Sequence, residues 1–384
     1  MVRRRFWLEC IEKQWKTRPI LWLRGVRRAG KTSLAHSLDG VEYFDCELPR
    51  VRRAMEDPEA FLKSVKGRRI VLDEVHRLPN PSELLKIAAD HFPGTRVLAT
   101  GSSTLGASSR FRDTLAGRKT ELWLTPMIEA DLEDFDSGDL NRRLLHGGLP
   151  PFFLSPEPPE RDFQEWMDAY WAKDIQELFR LEKRVSFQKF VELLIAQSGG
   201  IFEATKFAAP CEVARQTIMN YLGVLEATSV ALVLRPFSTR LSNEIVAAPK
   251  VYGFDTGFVC AHRGWSELRS DDRGRLWEQY VLNEMSARVP ISSLHYWRDK
   301  QGHEIDFIWQ PRGKTVTAIE CKWSARDFDA TNFQIFAKSY PKATLVVVAT
   351  DAKPAFAREY GGLKVEFITL DTLVERITSK LCTT

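Results

Sequence analysis

The chain has 384 residues, 44% hydrophobic and 28% charged, enough for two or three domains with their own cores. No apolar run approaches the roughly 18 residues of a membrane span, so the composition is that of an ordinary soluble protein with no membrane partner expected. Six scattered cysteines (Cys10, Cys46, Cys211, Cys260, Cys321, Cys382) form no CxxC pair and seven histidines lack metal-ligand spacing, which argues against zinc or disulfides and for free thiols in a cytoplasmic compartment.

The net charge of +4 is uneven: residues 1–125 carry 24 Lys and Arg against 15 Asp and Glu, and the remainder 31 against 36. A basic N-terminal part is compatible with a polyanionic partner, although some of the excess also suits a bound triphosphate. The start, Met1 to Trp7, is basic but has no apolar leader core and no small-residue cleavage site, so an amphipathic helix is expected before the first strand.

The apolar run Ile20-Leu21-Trp22-Leu23 then delivers the chain to Gly25-Val26-Arg27-Arg28-Ala29-Gly30-Lys31-Thr32, a complete Walker A loop. Glycines let backbone N–H groups wrap closely around phosphate oxygens, and a helix beginning near Gly30 adds its partial positive charge. The pattern predicts ATP bound by Gly25, Arg28, Gly30, Lys31, Thr32 and Ser33. Lys31 would reach the β- and γ-phosphates and the Thr32 hydroxyl would ligate Mg²⁺.

Further apolar runs at 41–45, 69–73, 96–100 and 119–124 alternate with helical stretches, which predicts a parallel sheet with crossover helices. Ile70-Val71-Leu72-Asp73-Glu74 supplies the second half of an NTPase site, with Asp73 as the Mg²⁺ carboxylate and Glu74 as general base to the attacking water. Val97 to Ser103 ends the next strand in small hydroxyl residues. Ser102 there is placed either to sense the γ-phosphate or simply in a Gly/Ser turn.

A Pro-rich stretch from Pro150 to Pro159 marks a linker, and residues 161–235 read as helical. Within them, 187–226 resemble a helix-turn-helix: Phe187 to Ser198 forms the first helix, and Arg215, Gln216 and Asn220 lie on the putative reading face of the second. Ala214 stands where a capping serine is common and Gly223 lies inside the helix, so DNA contact on one side and packing or subunit contact on the other remain the two readings. From Trp277 onward a helix is followed by strands near 294–299, 304–310 and 315–323, a helix near 329–340, and strands at 343–350 and 365–370. A turn at Gln310-Pro311-Arg312-Gly313-Lys314 would fold Asp306 beside Glu320, whose strand also presents Lys322 on the same face. Two carboxylates and a lysine so placed can bind Mg²⁺ and orient water for phosphodiester attack.

The order Arg27-Arg28, Leu72-Asp73-Glu74-Val75-His76-Arg77, Thr100-Gly101-Ser102-Ser103 and Leu115-Ala116-Gly117-Arg118 resembles AAA-type ATPases that carry an appended C-terminal domain of unknown function. The likeness continues through His146-Gly147-Gly148-Leu149-Pro150, Lys173-Asp174-Ile175, Asn220-Tyr221-Leu222 and Lys250-Val251-Tyr252-Gly253-Phe254-Asp255-Thr256-Gly257, so it spans almost the whole chain. It implies Mg²⁺-dependent ATP hydrolysis in a homo-oligomer, a hexameric ring or part of one, with Arg118 of one subunit completing a neighbour's catalytic site. The C-terminal series of Glu278 on a helix, Asp306 on a hairpin, Glu320 and Lys322 on a strand and Gln334 on a helix resembles the restriction-endonuclease-like PD-(D/E)XK superfamily. Glu278 and Gln334 would be its supporting residues.

The expected fold is therefore α/β: a P-loop NTPase parallel sheet (1–150), a helical winged-helix-like segment (160–240) and a restriction-endonuclease-like domain (241–384). The expected function is an ATPase that binds and processes DNA, branched or broken DNA included, with a C-terminal domain that either cuts DNA or only grips it. The alternative is an ATP-switched regulatory or interaction module with an inactive nuclease-like domain.

Overall fold

In the computed structural model, residues 2–101, 115–179, 183–238, 248–311 and 314–382 are described. The chain packs as two compact units: residues 1–143, 147–184 and 222–230 form the first, and 144–146, 185–221 and 231–384 the second. The segment expected as a separate domain over 160–240 is thus divided between the two.

The first unit is built on a five-stranded sheet of β1 (Ile20–Arg24), β2 (Glu42–Asp45), β3 (Arg69–Asp73), β4 (Arg96–Thr100) and β5 (Lys119–Trp123). Its order is β2-β3-β4-β1-β5 and every pairing is parallel. The inner strands are continuously apolar because both faces are covered by helices. One such layer packs Ile20, Trp22, Ile70, Leu72, Val97 and Ala99 against Leu84, Leu85 and Ala88 of the Pro81–His91 helix. The N-terminal Arg5–Trp15 helix buries Trp7, Leu8, Ile11 and Trp15, as its amphipathic spacing requires.

The proline-rich stretch opens with ordered structure and continues over 154–159 without helix or strand. Its first residues form a helix, Pro150–Phe153, that buries Phe152 and Phe153, because proline fits the first helical turn and two aromatic rings need cover.

The second unit holds a mixed nine-stranded sheet of β6 (Gly200–Ile201), β7 (Ala231–Pro236), β8 (Lys250–Gly253), β9 (Leu294–Arg298), β10 (Glu304–Trp309), β11 (Thr317–Lys322), β12 (Thr344–Ala349), β13 (Phe356–Tyr360) and β14 (Leu363–Ile368). Its order is β13-β14-β12-β11-β10-β9-β7-β8-β6. The expectation of helix throughout 161–235 therefore fails at both β6 and β7. Ala231 to Leu234 is buried residue by residue, and such an unbroken apolar run reads equally as helix or central strand. The Ser270–Ser286 helix lies over β11, and the Thr331–Ser339 helix covers the other core with Phe333 and Phe336.

Candidate functional site

The Walker loop lines a cavity of about 400 Å³ in the first unit, together with Glu74, His76, Arg77, Trp166 and Asp174. That volume is in the range of small-ligand sites. Two backbone positions explain the loop's glycines. A Cβ on Gly25 would sit 2.8 Å from the Leu124 carbonyl oxygen, and Gly30 takes φ +95° as the residue before the Lys31–His36 helix.

Lys31 is buried and donates to the carbonyl oxygens of Gly25 (2.9 Å) and Val26 (3.2 Å). Burial pushes its ammonium below the usual lysine range, against the opposing pull of Glu74 and Asp174. Thr32 Oγ1 donates to Asp73 Oδ2 at 2.9 Å, which brings together the two groups expected to hold Mg²⁺. Tyr43 from β2 also donates to Asp73, at 2.5 Å, and Thr100 from β4 donates to its other oxygen. A carboxylate gathered by three rotatable hydroxyls, one on the Walker helix, fits a hard cation with oxygen ligands.

Glu74 follows Asp73 in the left-handed region, φ 52°, which turns its side chain off the strand and into the cavity. Its Oε2 lies 3.1 Å from His76 Nδ1. Burial pushes the Glu74 carboxyl up, but contact with His76 and the charges of Lys31 and Arg27 outweigh it and hold it below the usual range. It is therefore an ionised base at neutral pH.

Of the expected nucleotide residues, Gly25, Arg28, Gly30, Lys31, Thr32 and Ser33 line this cavity, as does the expected base Glu74; Asp73 does not line it but bonds to Thr32, and Ser102 lies outside the described residues. Arg28 pairs with Asp162 (3.1 Å) and Glu165 (3.6 Å). Arg27, to which the sequence assigned no role, pairs with Asp174 at 3.3 Å on a π-helical turn, Tyr170–Ile175. Trp166 Nε1 donates to the Arg27 carbonyl at 2.9 Å, so Asp162 and Trp166 of the Glu160–Ala169 helix and Asp174 of the turn after it all bond to the loop. Sequence reasoning missed Tyr43, Trp166 and Asp174; the only signal was the Lys173-Asp174-Ile175 motif. Arg118 does not line the cavity and pairs with Asp90 at 2.7 Å.

In the second unit, antiparallel pairing of Phe307 with Ile319 puts Asp306 beside Glu320, and Lys322 Nζ lies 3.2 Å from Glu320 Oε2. The Cys321 N–H donates to Asp306 Oδ2 at 2.8 Å. Glu278 reaches the same place from its helix, but the cluster contains three residues with no expected role: Lys250, Tyr252 and Glu304. The buried Lys250 Nζ lies 2.7 Å from Glu278, 2.6 Å from Glu304 and 3.6 Å from Asp306, and Tyr252 donates to Glu278.

Burial, then the charge of Asp306, pushes the Glu320 carboxyl well above its usual range despite Lys322. Burial opposes the charge on Lys250, but the surrounding acidic groups hold its ammonium well above the ordinary lysine range. His303 Nδ1 lies 2.7 Å from Asp299 Oδ2. Gln334 is exposed, its amide nitrogen beside Gly361 of the β13–β14 turn, and makes no hydrogen bond to the cluster among the described residues. Its expected support of the site is not seen, because the Thr331–Ser339 helix turns Phe333 and Phe336 into the core and leaves Gln334 outward.

On the Arg215–Ala227 helix, Arg215, Gln216 and Asn220 are exposed while Ile218, Leu222 and Leu225 are buried. Gln216 donates to Asn220 at 3.3 Å.

Three family profiles match consecutive parts of the chain: an AAA domain over residues 17–131, a domain of unknown function (DUF8612) over 137–269, and another (DUF4143) over 273–369. The uncharacterized proteins Mb2031c of Mycobacterium bovis and Rv2008c of Mycobacterium tuberculosis are each 28% identical over 308 residues, 77% of this chain and 68% of theirs. Among solved structures, the Walker-type ATPase PABY2304 of Pyrococcus abyssi aligns with 15% identity and a TM-score of 0.44, covering 68% of this chain and 96% of that one. The Bacillus subtilis DNA clamp loader delta protein YqeN aligns with 14% identity and a TM-score of 0.26, covering 57% and 88%. The AAA-domain match and the assembled Walker residues together support an ATPase of the AAA type. No described helix is long and apolar enough to cross a membrane.

Proposed function

We propose that the protein is a cytoplasmic, Mg²⁺-dependent ATPase that couples ATP hydrolysis to the binding and processing of DNA, branched or broken DNA included. The observation that carries the ATPase reading is the convergence of Lys31, Thr32 and Glu74 on one cavity, with Asp73 hydrogen-bonded to Thr32 at its edge. Lys31 would leave its two carbonyl partners to neutralise charge on the β- and γ-phosphates. Thr32 and Asp73 would hold Mg²⁺, which supplies charge neutralisation at the bridging phosphate oxygens. Glu74, ionised at neutral pH, would take the proton of the attacking water.

DNA as the partner rests on the basic balance of residues 1–125 and on the exposed Arg215, Gln216 and Asn220. A homo-oligomer, a hexameric ring or part of one, would let Arg118 leave Asp90 and reach a neighbour's triphosphate. Restriction-endonuclease-like chemistry at Asp306, Glu320 and Lys322 is the further part of this reading. The paired Lys250 favours the second reading, in which that unit grips its partner without cutting.

The test is ATP turnover with and without linear, single-stranded and four-way-junction DNA. Lys31→Ala and Glu74→Gln should each abolish turnover while DNA raises it in the unaltered protein. Full activity in both variants would overturn the site; activity indifferent to every DNA would overturn the partner. Mixing Arg118→Ala with Lys31→Ala subunits should restore part of the turnover that each lacks alone.

A further inference from the structure

The cluster around Asp306 has the acidic residues of a metal site, yet its centre is filled by a side chain from another part of the chain. Lys250 comes from β8, while Asp306 and Glu304 stand on β10 and Glu278 on the Ser270–Ser286 helix. Lys250 is 2% exposed and its Nζ lies within 3.6 Å of all three carboxylates. Glu278 and Glu304 lie at hydrogen-bond distance from the ammonium, and Asp306 adds its charge at 3.6 Å.

One oxygen of each of three carboxylates is committed. Glu278 Oε1 takes both Lys250 and the Tyr252 hydroxyl, Asp306 Oδ2 takes the Cys321 N–H, and Glu320 Oε2 takes Lys322. Glu320 Oε1 is buried without a hydrogen-bond partner among the described residues. No group of three or more His, Cys, Asp and Glu side chains among the described residues is arranged to hold a metal ion.

We infer that Lys250 is the resident cation of this cluster, standing where a divalent metal would otherwise bind, so that the second unit is a binding module without hydrolytic metal chemistry. Divalent metals bind carboxylates at about 2.0–2.6 Å, and an ion sharing the oxygens of Glu278 and Asp306 would press against the Lys250 ammonium. Removing the lysine, and only that, should free the oxygens for a metal. The inference stands apart from ATP hydrolysis and is tested with the Walker carboxylate removed, so that the two can fail separately.

The experiment measures Mn²⁺ bound by nucleotide-free, full-length Asp73→Asn protein, from the loss of the free-ion signal in electron paramagnetic resonance. With Lys250 present, no ion bound through Asp306 is expected. Adding Lys250→Met should create a site for one Mn²⁺ per chain, and adding Asp306→Asn to that variant should abolish it. Stoichiometric Mn²⁺ binding with Lys250 intact, lost on Asp306→Asn, would overturn the inference. So would a folded Lys250→Met chain, verified by circular dichroism, that binds none. If Lys250→Met does not fold, the comparison with Lys250 intact decides: no ion supports the inference and an Asp306-dependent ion refutes it.

Discussion

Asp131 holds the Walker loop from below, and its removal should unfold the first unit at a much lower temperature. Its carboxylate is fully buried and takes a bidentate pair from Arg4, Nε to Oδ1 and Nη2 to Oδ2, both at 2.7 Å. It also accepts the Trp7 indole N–H at 3.1 Å and the Ile128 backbone N–H at 2.9 Å. Arg4 then donates its remaining Nη1 to the carbonyl of Ala29, inside the Walker loop, at 2.9 Å.

Asp131→Ala would leave a guanidinium buried without its counter-charge, which costs about 3–5 kcal/mol. Two stranded N–H donors add to this at about 1–3 kcal/mol each when fully desolvated, with overlap because the site can collapse. A loss near ~5 kcal/mol in a unit of this size lowers the melting temperature by about 10–20 °C, at roughly 2–4 °C per kcal/mol. Differential scanning calorimetry on the unliganded protein reads this directly. A double replacement, Arg4→Met with Asp131→Leu, should recover much of the loss, since no charge is then left buried. A drop below about 3 °C in Asp131→Ala, against the ~5 kcal/mol expected, would refute the reasoning.

Gly25→Ala should weaken nucleotide binding and destabilise the first unit by about 1–3 kcal/mol, because the new methyl meets backbone rather than a movable side chain; isothermal titration with a non-hydrolysable ATP analogue and a thermal melt check both effects. Nucleotide binding should change tryptophan fluorescence through Trp166, which lines the cavity and bonds to Arg27, and Trp166→Phe should lose most of that change. An undiminished signal would place the reporter elsewhere among the 11 tryptophans. Glu320→Gln should stabilise the second unit at alkaline pH and not at acid pH. A carboxyl raised by burial stabilises the fold below its unfolded value near about 4.3, and that contribution is lost as pH rises through the raised folded value. Melts at pH 5 and pH 8.5 test the sign, and a glutamine variant less stable than the parent at the higher pH would overturn it.

The Walker residues were legible because local sequence fixes them. β1, β3 and β4 fall on the residues that their apolar runs mark, since each run ends at a turn residue or a carboxylate that cannot continue inside a covered sheet. Tyr43 and Thr100 were not legible as partners of Asp73. They meet it only because β2 and β4 flank β3, a neighbour relation that no spacing in the chain encodes. The Arg27–Asp174 pair escaped for the same reason, with a helix returning to the loop from beyond the prolines.

In the second unit the register of Asp306 against Glu320 followed from a hairpin, but the strand carrying Asp306 is irregular. Its pairing with β9 shifts between Ile305 and Ile308, so one residue is added on β10. Glu304, before the bulge, and Asp306, within it, both face Lys250. After it the faces exchange, which lets Ile305 and Ile308 enter one core although an unbroken strand would point them apart. The bulge thus allows a hydrophobic core and a charged cluster to share one short strand. A pattern read with a fixed period finds the acidic residues there, but not the lysine they surround.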